Sequence, residues 1–281
     1  MPSRSESVQS EAEPRHLQER HLALIDEIAA HIEPEDPALE EWLSRYCRQH
    51  RQRLAIDLEI IEQQVEPGAR ILEYGAIPLL LTGALTELGY NLSAIDVRPE
   101  RFAKAIAALD LDITRCDVET EVVPFDAETF DVVLFNELFE HLRIDPIFTL
   151  EEARRVLKPG GALLLSTPNL RSLRGIRNLL LRNQGHAASA GVYEQYEKLE
   201  TLGHMGHVRE YTTREVADFL GRVGLRVDKI IFRGGHGRGA VGLAERLMPS
   251  LRPFFTLRAT AIESQTPTRR ANPKSPSSED R

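Results

Sequence analysis

Residues 70–100, RILEYGAIPLLLTGALTELGYNLSAIDVRPE, carry the pattern from which the architecture follows. Ile71-Leu72 is a short apolar run leading through Glu73 and Tyr74 into Gly75. A helical pattern follows from Pro78, with Leu79, Leu80, Thr82, Gly83, Leu85 and Leu88 before a stop at Gly89. A second apolar run, Leu92 to Ile95, ends on Asp96. Strand, tight turn, helix, strand and terminal acid form the first βαβ unit of a nucleotide-binding sheet. Gly75 lets the backbone turn where a ligand comes close, and Pro78 pre-sets φ for the first helical turn. Asp96, at the tip of the second strand, is placed to accept hydrogen bonds from the two hydroxyls of a ribose. A dinucleotide site needs a second glycine where the pyrophosphate approaches, and that position is Ile77. A β-branched side chain there argues for a nucleoside ligand without phosphates, and against NAD or FAD. The bland alternative is a βαβ crossover that binds nothing.

Outward from this unit, strands and helices alternate. A helix is expected from Glu100 to Leu109 and a strand from Asp112 to Cys116, ending in Asp117. Phe130 to Phe135, FDVVLF, is a continuous apolar run of the kind a doubly covered parallel strand needs. A helix from about Ile147 to Leu157 stops at Lys158-Pro159-Gly160-Gly161, and a strand Ala162 to Ser166 follows. Later come a helix Arg214 to Val223 with Thr212 and Thr213 as N-cap candidates, a strand Leu225 to Phe232, a short helix Leu243 to Met248 and a closing strand Leu257 to Ile262. This spacing indicates an α/β fold, a mostly parallel sheet with helices on both faces and right-handed crossovers. Residues 170–207 have weaker periodicity and follow a strand's carboxyl end, where an insertion lies over the ligand crevice; they read as a substrate lid. Their Arg171, Arg174, Arg177 and Arg182 are candidates for a phosphate contact or plain solvated arginines. Tyr193 and Tyr196 stack on a ring or, as the simpler reading, pack the lid. The glycine-rich loop from Gly234 to Gly242 is a poor phosphate cradle, because no strand-to-helix register surrounds it.

Ahead of the sheet, residues 15–66 form a helical extension, with helices from His16 to Ile32 and from about Ala38 to Val65 separated by Pro34 and Pro37. Such a pair packs on the sheet, caps the cofactor cleft or forms a homodimer interface. Residues 1–14 and the proline-containing tail 263–281 are expected to be disordered, leaving 67–262 as the main domain. The net charge of −8 argues against nucleic acid or an anionic lipid surface as a partner. Cys47 and Cys116 lie in different kinds of segment and give no disulfide framework. No apolar run approaches the roughly 18–20 residues that span a bilayer, and the N-terminus lacks the apolar core of a signal peptide. The expected localisation is cytoplasmic.

ILEYGAIP, AIDVRPE, the Asp117 loop, FDVVLFNELFEHL and VLKPGGALLLSTPN occur in an order and spacing that resembles the class I S-adenosylmethionine-dependent methyltransferases, from about Arg70 to Phe232. The resemblance implies a Rossmann-like, seven-stranded sheet whose last strand is antiparallel. It implies that Glu73, Gly75 and Ala76 lie against the methionine part of the cofactor. Asp96 would hold the ribose, Asp117 with Val118 the adenine, and Asn136 would border the sulfonium. The departure is the turn GAIP, where the family has a second glycine. S-adenosylmethionine carries no pyrophosphate, so close backbone approach at Ile77 is less needed.

Beyond the cofactor strand sits Asn136-Glu137-Leu138-Phe139-Glu140-His141. If the strand gives way to a helical turn, Glu137, Glu140 and His141 share one face and offer three metal ligands. Two adjacent acids otherwise repel and raise each other's pKa, which a divalent cation relieves. Downstream, His204 or His207 completes the set. The E-x-x-E-H segment with a later histidine resembles the ubiquinone-biosynthesis O-methyltransferases and the small-RNA 2′-O-methyltransferases. That resemblance implies a divalent cation such as Mg²⁺ on Glu137, Glu140, His141 and His207, and favours His207 over His204. A cation there lowers the pKa of one of two neighbouring hydroxyls. The competing readings are His141 as a base without metal, and a structural role. The functional expectation is O-methylation of a hydroxylated small molecule, sugar or glycan intermediate, with His141, Glu140 and His207 as catalytic groups. The alternatives are a ribose 2′-O-methyltransferase acting on RNA, disfavoured by the charge, and a non-catalytic binding protein.

Overall fold

The computed structural model describes residues 15–189, 191–201, 206–235, 237 and 239–262. The segments expected to be disordered, 1–14 and 263–281, and the candidate His204 lie outside the described residues. Two helices, α1 (Arg15–Ala29) and α2 (Glu40–Gln64), precede the sheet. Its strands are β1 (Arg70–Tyr74), β2 (Asn91–Asp96), β3 (Ile113–Arg115), β4 (Phe130–Asn136), β5 (Leu157–Pro168), β6 (Leu225–Arg233) and β7 (Phe254–Ala261). Helices α3 (Leu80–Glu87), α4 (Ala103–Ala108) and α5 (Pro146–Val156) connect the first five strands. Between β5 and β6 come α6 (Leu173–Arg182), α7 (Val192–Thr201) and α8 (Thr213–Arg222), and α9 (Ala240–Leu247) precedes β7. The strand order is β3-β2-β1-β4-β5-β7-β6, with β7 antiparallel to both neighbours and the remaining pairs parallel. No helix among the described residues is long and apolar enough to cross a membrane.

The continuous apolar strands are explained by two cores, one on each face. Val133 and Phe135 of β4 point into a cluster with Leu150 and Ala153 of α5 and Val216 and Leu220 of α8. Val132 and Leu134, one residue out of step, point into a second cluster with Ile25 and Ile28 of α1 and Leu54, Leu58 and Ile61 of α2. The extension therefore packs on the sheet, and its apolar stripe is taken up there. Thr212 caps α8 in a reciprocal box with Glu215.

Two local expectations are corrected. Pro78 does not open the first helical turn: the helix begins at Leu80, after a cis Ile77–Pro78 bond and a Leu79 at φ 73°. Leu79 is fully buried, and its amide donates to the Ala76 carbonyl at 2.7 Å, so packing holds a bulky residue where a β-carbon is disfavoured. Nor does Lys158 to Gly161 sit outside the strand. β5 runs from Leu157 with a shift in its pairing to β4 between Phe130 and Val132, a bulge that Gly161 permits. A β-carbon at Gly161 would lie 2.9 Å from the Lys158 carbonyl oxygen and 3.0 Å from that of Asp131.

Candidate active site

The carboxyl ends of β3, β2, β1 and β4 stand side by side, and the cofactor candidates occupy them in a row. After β1 the chain folds over the end of β2: the amides of Gly75 and Ala76 donate to the Ile95 carbonyl at 2.8 and 3.3 Å. Gly75 has φ 79°, a left-handed conformation in which any other side chain would be strained. The side chain of Ile77 packs into the core beneath α1–α3, while its amide turns to Asp96. Asp96 Oδ2 accepts from that amide at 3.0 Å and Oδ1 from the Arg98 amide at 3.0 Å, which fixes the carboxylate at the strand tip. Beside it, Asp117 accepts from the Glu119 amide and the Thr120 hydroxyl, closing the loop after β3, and the Val118 carbonyl accepts from Thr149.

Glu73 is 3 % exposed, and its Oε2 has no hydrogen-bond partner among the described residues. Burial raises its carboxyl to about 8, against a hydrogen bond with Thr82 and with a further push from Asp96. An orphaned buried carboxyl beside a second carboxylate fits a ligand with a cationic amino-acid end and a vicinal-diol ribose. S-adenosylmethionine is such a ligand.

Asn136 closes the row. Its Nδ2 donates to Asp57 Oδ2 of α2 at 3.0 Å, and its Oδ1 accepts from the Ser166 hydroxyl. The next residue departs from expectation. Glu137 stands at φ 52°, and only Phe139–His141 form a 3-10 turn, so Glu137 is not on one helical face with Glu140 and His141. Its carboxylate instead reaches Arg233 of β6 at 2.6 Å and Arg53 of α2 at 3.3 Å. Arg233, 2 % exposed, also pairs with Asp57 at 2.8 Å and donates to Thr256 at 3.0 Å. Arg53, Asp57, Glu137 and Arg233 are thus a buried ion cluster tying the helical extension to the loop that follows β4.

Glu140, His141 and His207 do come together, with one ligand atom of each within 4.8 Å of the others. Glu140 is fully buried; its Oε2 accepts from the Thr167 hydroxyl at 2.9 Å, and its Oε1 lies 4.0 Å from His207 Nε2. Burial first, then the charge of Glu137, raise the Glu140 carboxyl to about 7. The rings of His141 and His207 meet edge to face, 4.9 Å between centres. His207 Nδ1 is 3.1 Å from Glu210 Oε1, the arrangement that commits Nδ1 as donor and leaves the Nε2 lone pair facing Glu140. Although burial opposes charge on the ring, the Glu210 bond and the Glu140 carboxylate raise the His207 pKa. Burial likewise opposes ionisation of Glu210, but His207 and the amides of Ala187, Ser189 and Ala188 lower it to about 2. Those three amides belong to the segment between α6 and α7, so Glu210 pins that segment and orients His207 at once.

Arg53, Asp57, Arg233 and Glu210 escaped the sequence reading. The available signal for Asp57 was its place, with Glu59, inside the most apolar stretch of α2, LAIDLEII. The side chains of Tyr193 and Tyr196 do not pack the lid; they are 74 % and 54 % exposed. Arg171, Arg174, Arg177 and Arg182 are exposed. In the glycine-rich loop a carboxylate occupies the space a phosphate would need, because Glu245 Oε2 accepts from the Gly237 amide at 3.1 Å.

A family model described as "Methyltransferase domain" matches residues 39–230. Among curated proteins, a ubiquinone biosynthesis O-methyltransferase of Xanthomonas axonopodis pv. citri is 34% identical over 120 residues, 41% of this chain and 49% of that protein. Another with the same name, from Xanthomonas campestris pv. campestris, is 35% identical over 108 residues, 37% of this chain and 44% of that protein. The chain spans about half the length of the curated relatives it matches. Among solved structures, a SAM-dependent methyltransferase of Thermotoga maritima superposes with a TM-score of 0.52 at 19% identity, covering 79% of this chain and 96% of that one. One of Archaeoglobus fulgidus gives 0.52 at 14% identity, covering 76% and 97%. At these identities the likeness is one of fold.

Proposed function

Because the chain belongs to the methyltransferase-domain family, we propose that it transfers the methyl group of S-adenosylmethionine to one hydroxyl of a small molecule bearing two neighbouring hydroxyls, assisted by a divalent cation at Glu140, His141 and His207. The hydroxyl as acceptor is supported by the curated relatives, which are named as O-methyltransferases. The observation that carries the cation is the line Glu210–His207–Glu140. A carboxylate fixes one ring nitrogen of His207, and the other faces a buried carboxylate with His141 alongside.

One carboxylate and two imidazoles are a donor set for a borderline divalent cation such as Zn²⁺ or Mn²⁺, and suit Mg²⁺ less well. When bound, the cation lowers the pKa of a coordinated hydroxyl, and the sulfonium presents an electrophilic methyl group. The remaining work falls to this chain. Asp96, Asp117 and Glu73 would hold the nucleoside and amino-acid ends of the cofactor. With a cation bound, Glu140 and His207 Nε2 would serve as its ligands; without one, Glu140, near 7, and His207 Nε2 are the atoms able to hold the acceptor's proton near neutral pH. Thr167 and Glu210 keep these two groups in their rotamers. Glu137 stays with its arginines and lends negative charge to the site.

Both Glu140 and His207 must lose protons before they bind a cation. Affinity for the cation therefore rises with pH through about 7. Calorimetric titration with Mn²⁺ is expected to show binding at least roughly tenfold tighter at pH 8 than at pH 6. Activity on a catechol is expected to vanish in EDTA and return with Mn²⁺, Zn²⁺ or Mg²⁺. Full activity in chelator would end the cation reading and leave His207 as the base.

A further inference from the structure

His207 belongs to no helix or strand; it sits in the run 206–210 ahead of α8, so contacts from outside must set its position. Two elements hold that run. On one side the Glu140 carbonyl accepts from the amides of Val208 and Arg209 at 2.7 and 3.3 Å. On the other stands Gln195 of α7, 2 % exposed. Its backbone carbonyl accepts from the Gly206 amide at 3.0 Å, and its side-chain Oε1 accepts from the His207 amide at 3.2 Å. Lys198 Nζ, one turn farther along α7, donates to the same Oε1 at 2.9 Å. With two donors on one atom, the oxygen end of the side-chain amide is the end that faces the run.

The packing at Gly206 points the same way. Gly206 is buried, and a β-carbon there would fall on Gln195 Oε1, 2.8 Å from its Cδ and 3.0 Å from Lys198 Nζ. The chain is thus bare at the point where the glutamine amide crosses it. Glu210 fixes the ring of His207, whereas Gln195 fixes the backbone from which that ring projects. Backbone placement matters here because two donors of one cation stand about 3–4 Å apart at bond lengths near 2.1 Å. The 4.0 Å between His207 Nε2 and Glu140 Oε1 leaves little slack for drift.

We propose that Gln195 is a positioning residue for His207: its buried side-chain amide holds the His207 backbone at the distance from Glu140 that a shared cation requires. This rests on reading Glu140, His141 and His207 as the cation site. Gln195 acts through the His207 amide alone, so the docking of α7 against the run 206–210 sets the strength of the site without supplying a ligand to it.

Three variants of the full chain test this. Gln195→Met keeps the buried bulk and removes the acceptor, Gln195→Glu keeps an oxygen for both donors, and Gly206→Ala puts a methyl group where the Gln195 amide lies. The first readout is hydrogen exchange of the His207 amide, followed by NMR without metal. Exchange is expected to be at least roughly tenfold faster in Gln195→Met and Gly206→Ala than in the wild type, and protected in Gln195→Glu. The second readout is calorimetric titration with Mn²⁺. Affinity is expected to fall roughly tenfold or more in Gln195→Met and Gly206→Ala and to stay within about threefold of wild type in Gln195→Glu. Affinity for S-adenosylhomocysteine is expected to be unchanged in all three, and the Gln195→Met and Gly206→Ala losses not to add in the double variant. A merely structural role would instead weaken S-adenosylhomocysteine binding alongside. That pattern, His207 exchange in Gln195→Met equal to wild type, wild-type Mn²⁺ affinity in that variant, or no rescue by glutamate would overturn the assignment. If the wild type binds no Mn²⁺, the cation reading falls separately. Gln195 is then decided by the exchange rates and by kcat in chelator, where the same ranking is expected and an unchanged Gln195→Met overturns it.

Discussion

His207→Ala is expected to lower kcat for methylation of a diol by roughly 10²–10⁴, with affinity for S-adenosylhomocysteine retained. The loss is large because His207 has no understudy. Its Nε2 faces Glu140 Oε1 at 4.0 Å, and without the imidazole a fully buried carboxyl near 7 faces His141 alone. Cofactor affinity is unaffected because the strand-tip row of Glu73, Asp96 and Asp117 does not include this residue. Glu210→Gln tests the same line one step back. It keeps the side chain's shape but weakens the hold on Nδ1 and on the Ala187–Ser189 amides, and is expected to cost roughly 10–100-fold in metal affinity or activity. Steady-state and single-turnover kinetics on the three proteins check the ranking. A His207→Ala enzyme within a few-fold of wild type would remove the imidazole from the mechanism.

Arg233→Ala is expected to destabilise the fold by about 3–5 kcal/mol, the usual cost of stranding a buried partner. The guanidinium answers two carboxylates at once, Asp57 at 2.8 Å and Glu137 at 2.6 Å, and lies over the Phe254 ring. Only Arg53 would remain for both acids. For a domain of this size that loss lowers the melting temperature by roughly ten degrees, measurable by calorimetry. Arg233→Lys keeps the charge but not the two-pronged geometry, and is expected to fall between. Activity is expected to drop with stability, because Glu137 and Asn136, which flank the site, are held by the same cluster. A variant that melts with the wild type would show that Arg53 alone balances the cluster.

How much of this was legible beforehand follows from the range of each interaction. Gly75, Asp96 and the FDVVLF strand could be read because their signals are local: a turn, a strand tip, a doubly covered apolar run. The cluster of Glu140, His141 and His207 was visible as residue types, but its shape was not. A left-handed Glu137 turns the first acid toward Arg233, and nothing in a five-residue motif announces that φ. Arg233 and Asp57 come from β6 and α2, and their pairing exists only once both are packed on β4. Glu210 escaped for another reason: its main partners are the backbone amides of Ala187, Ala188 and Ser189, which no side-chain pattern records. Pro78 was misread because proline's fixed φ suits a first helical turn and equally a turn just before it.

The charge logic of the two halves differs. In the cofactor row, burial and then the nearby Asp96 raise the Glu73 carboxyl to about 8. In the ion cluster, acids and arginines already balance.

The claim beneath all of this is that the tips of β1 and β2 hold the nucleoside of S-adenosylmethionine, with Asp96 on its ribose. Isothermal titration with S-adenosylhomocysteine of the wild type and of Asp96→Ala tests it directly. The account predicts saturable binding by the wild type, weakened roughly a hundredfold or more in the variant by loss of two charge-assisted hydrogen bonds. No binding by the wild type, or equal binding by Asp96→Ala, would contradict it.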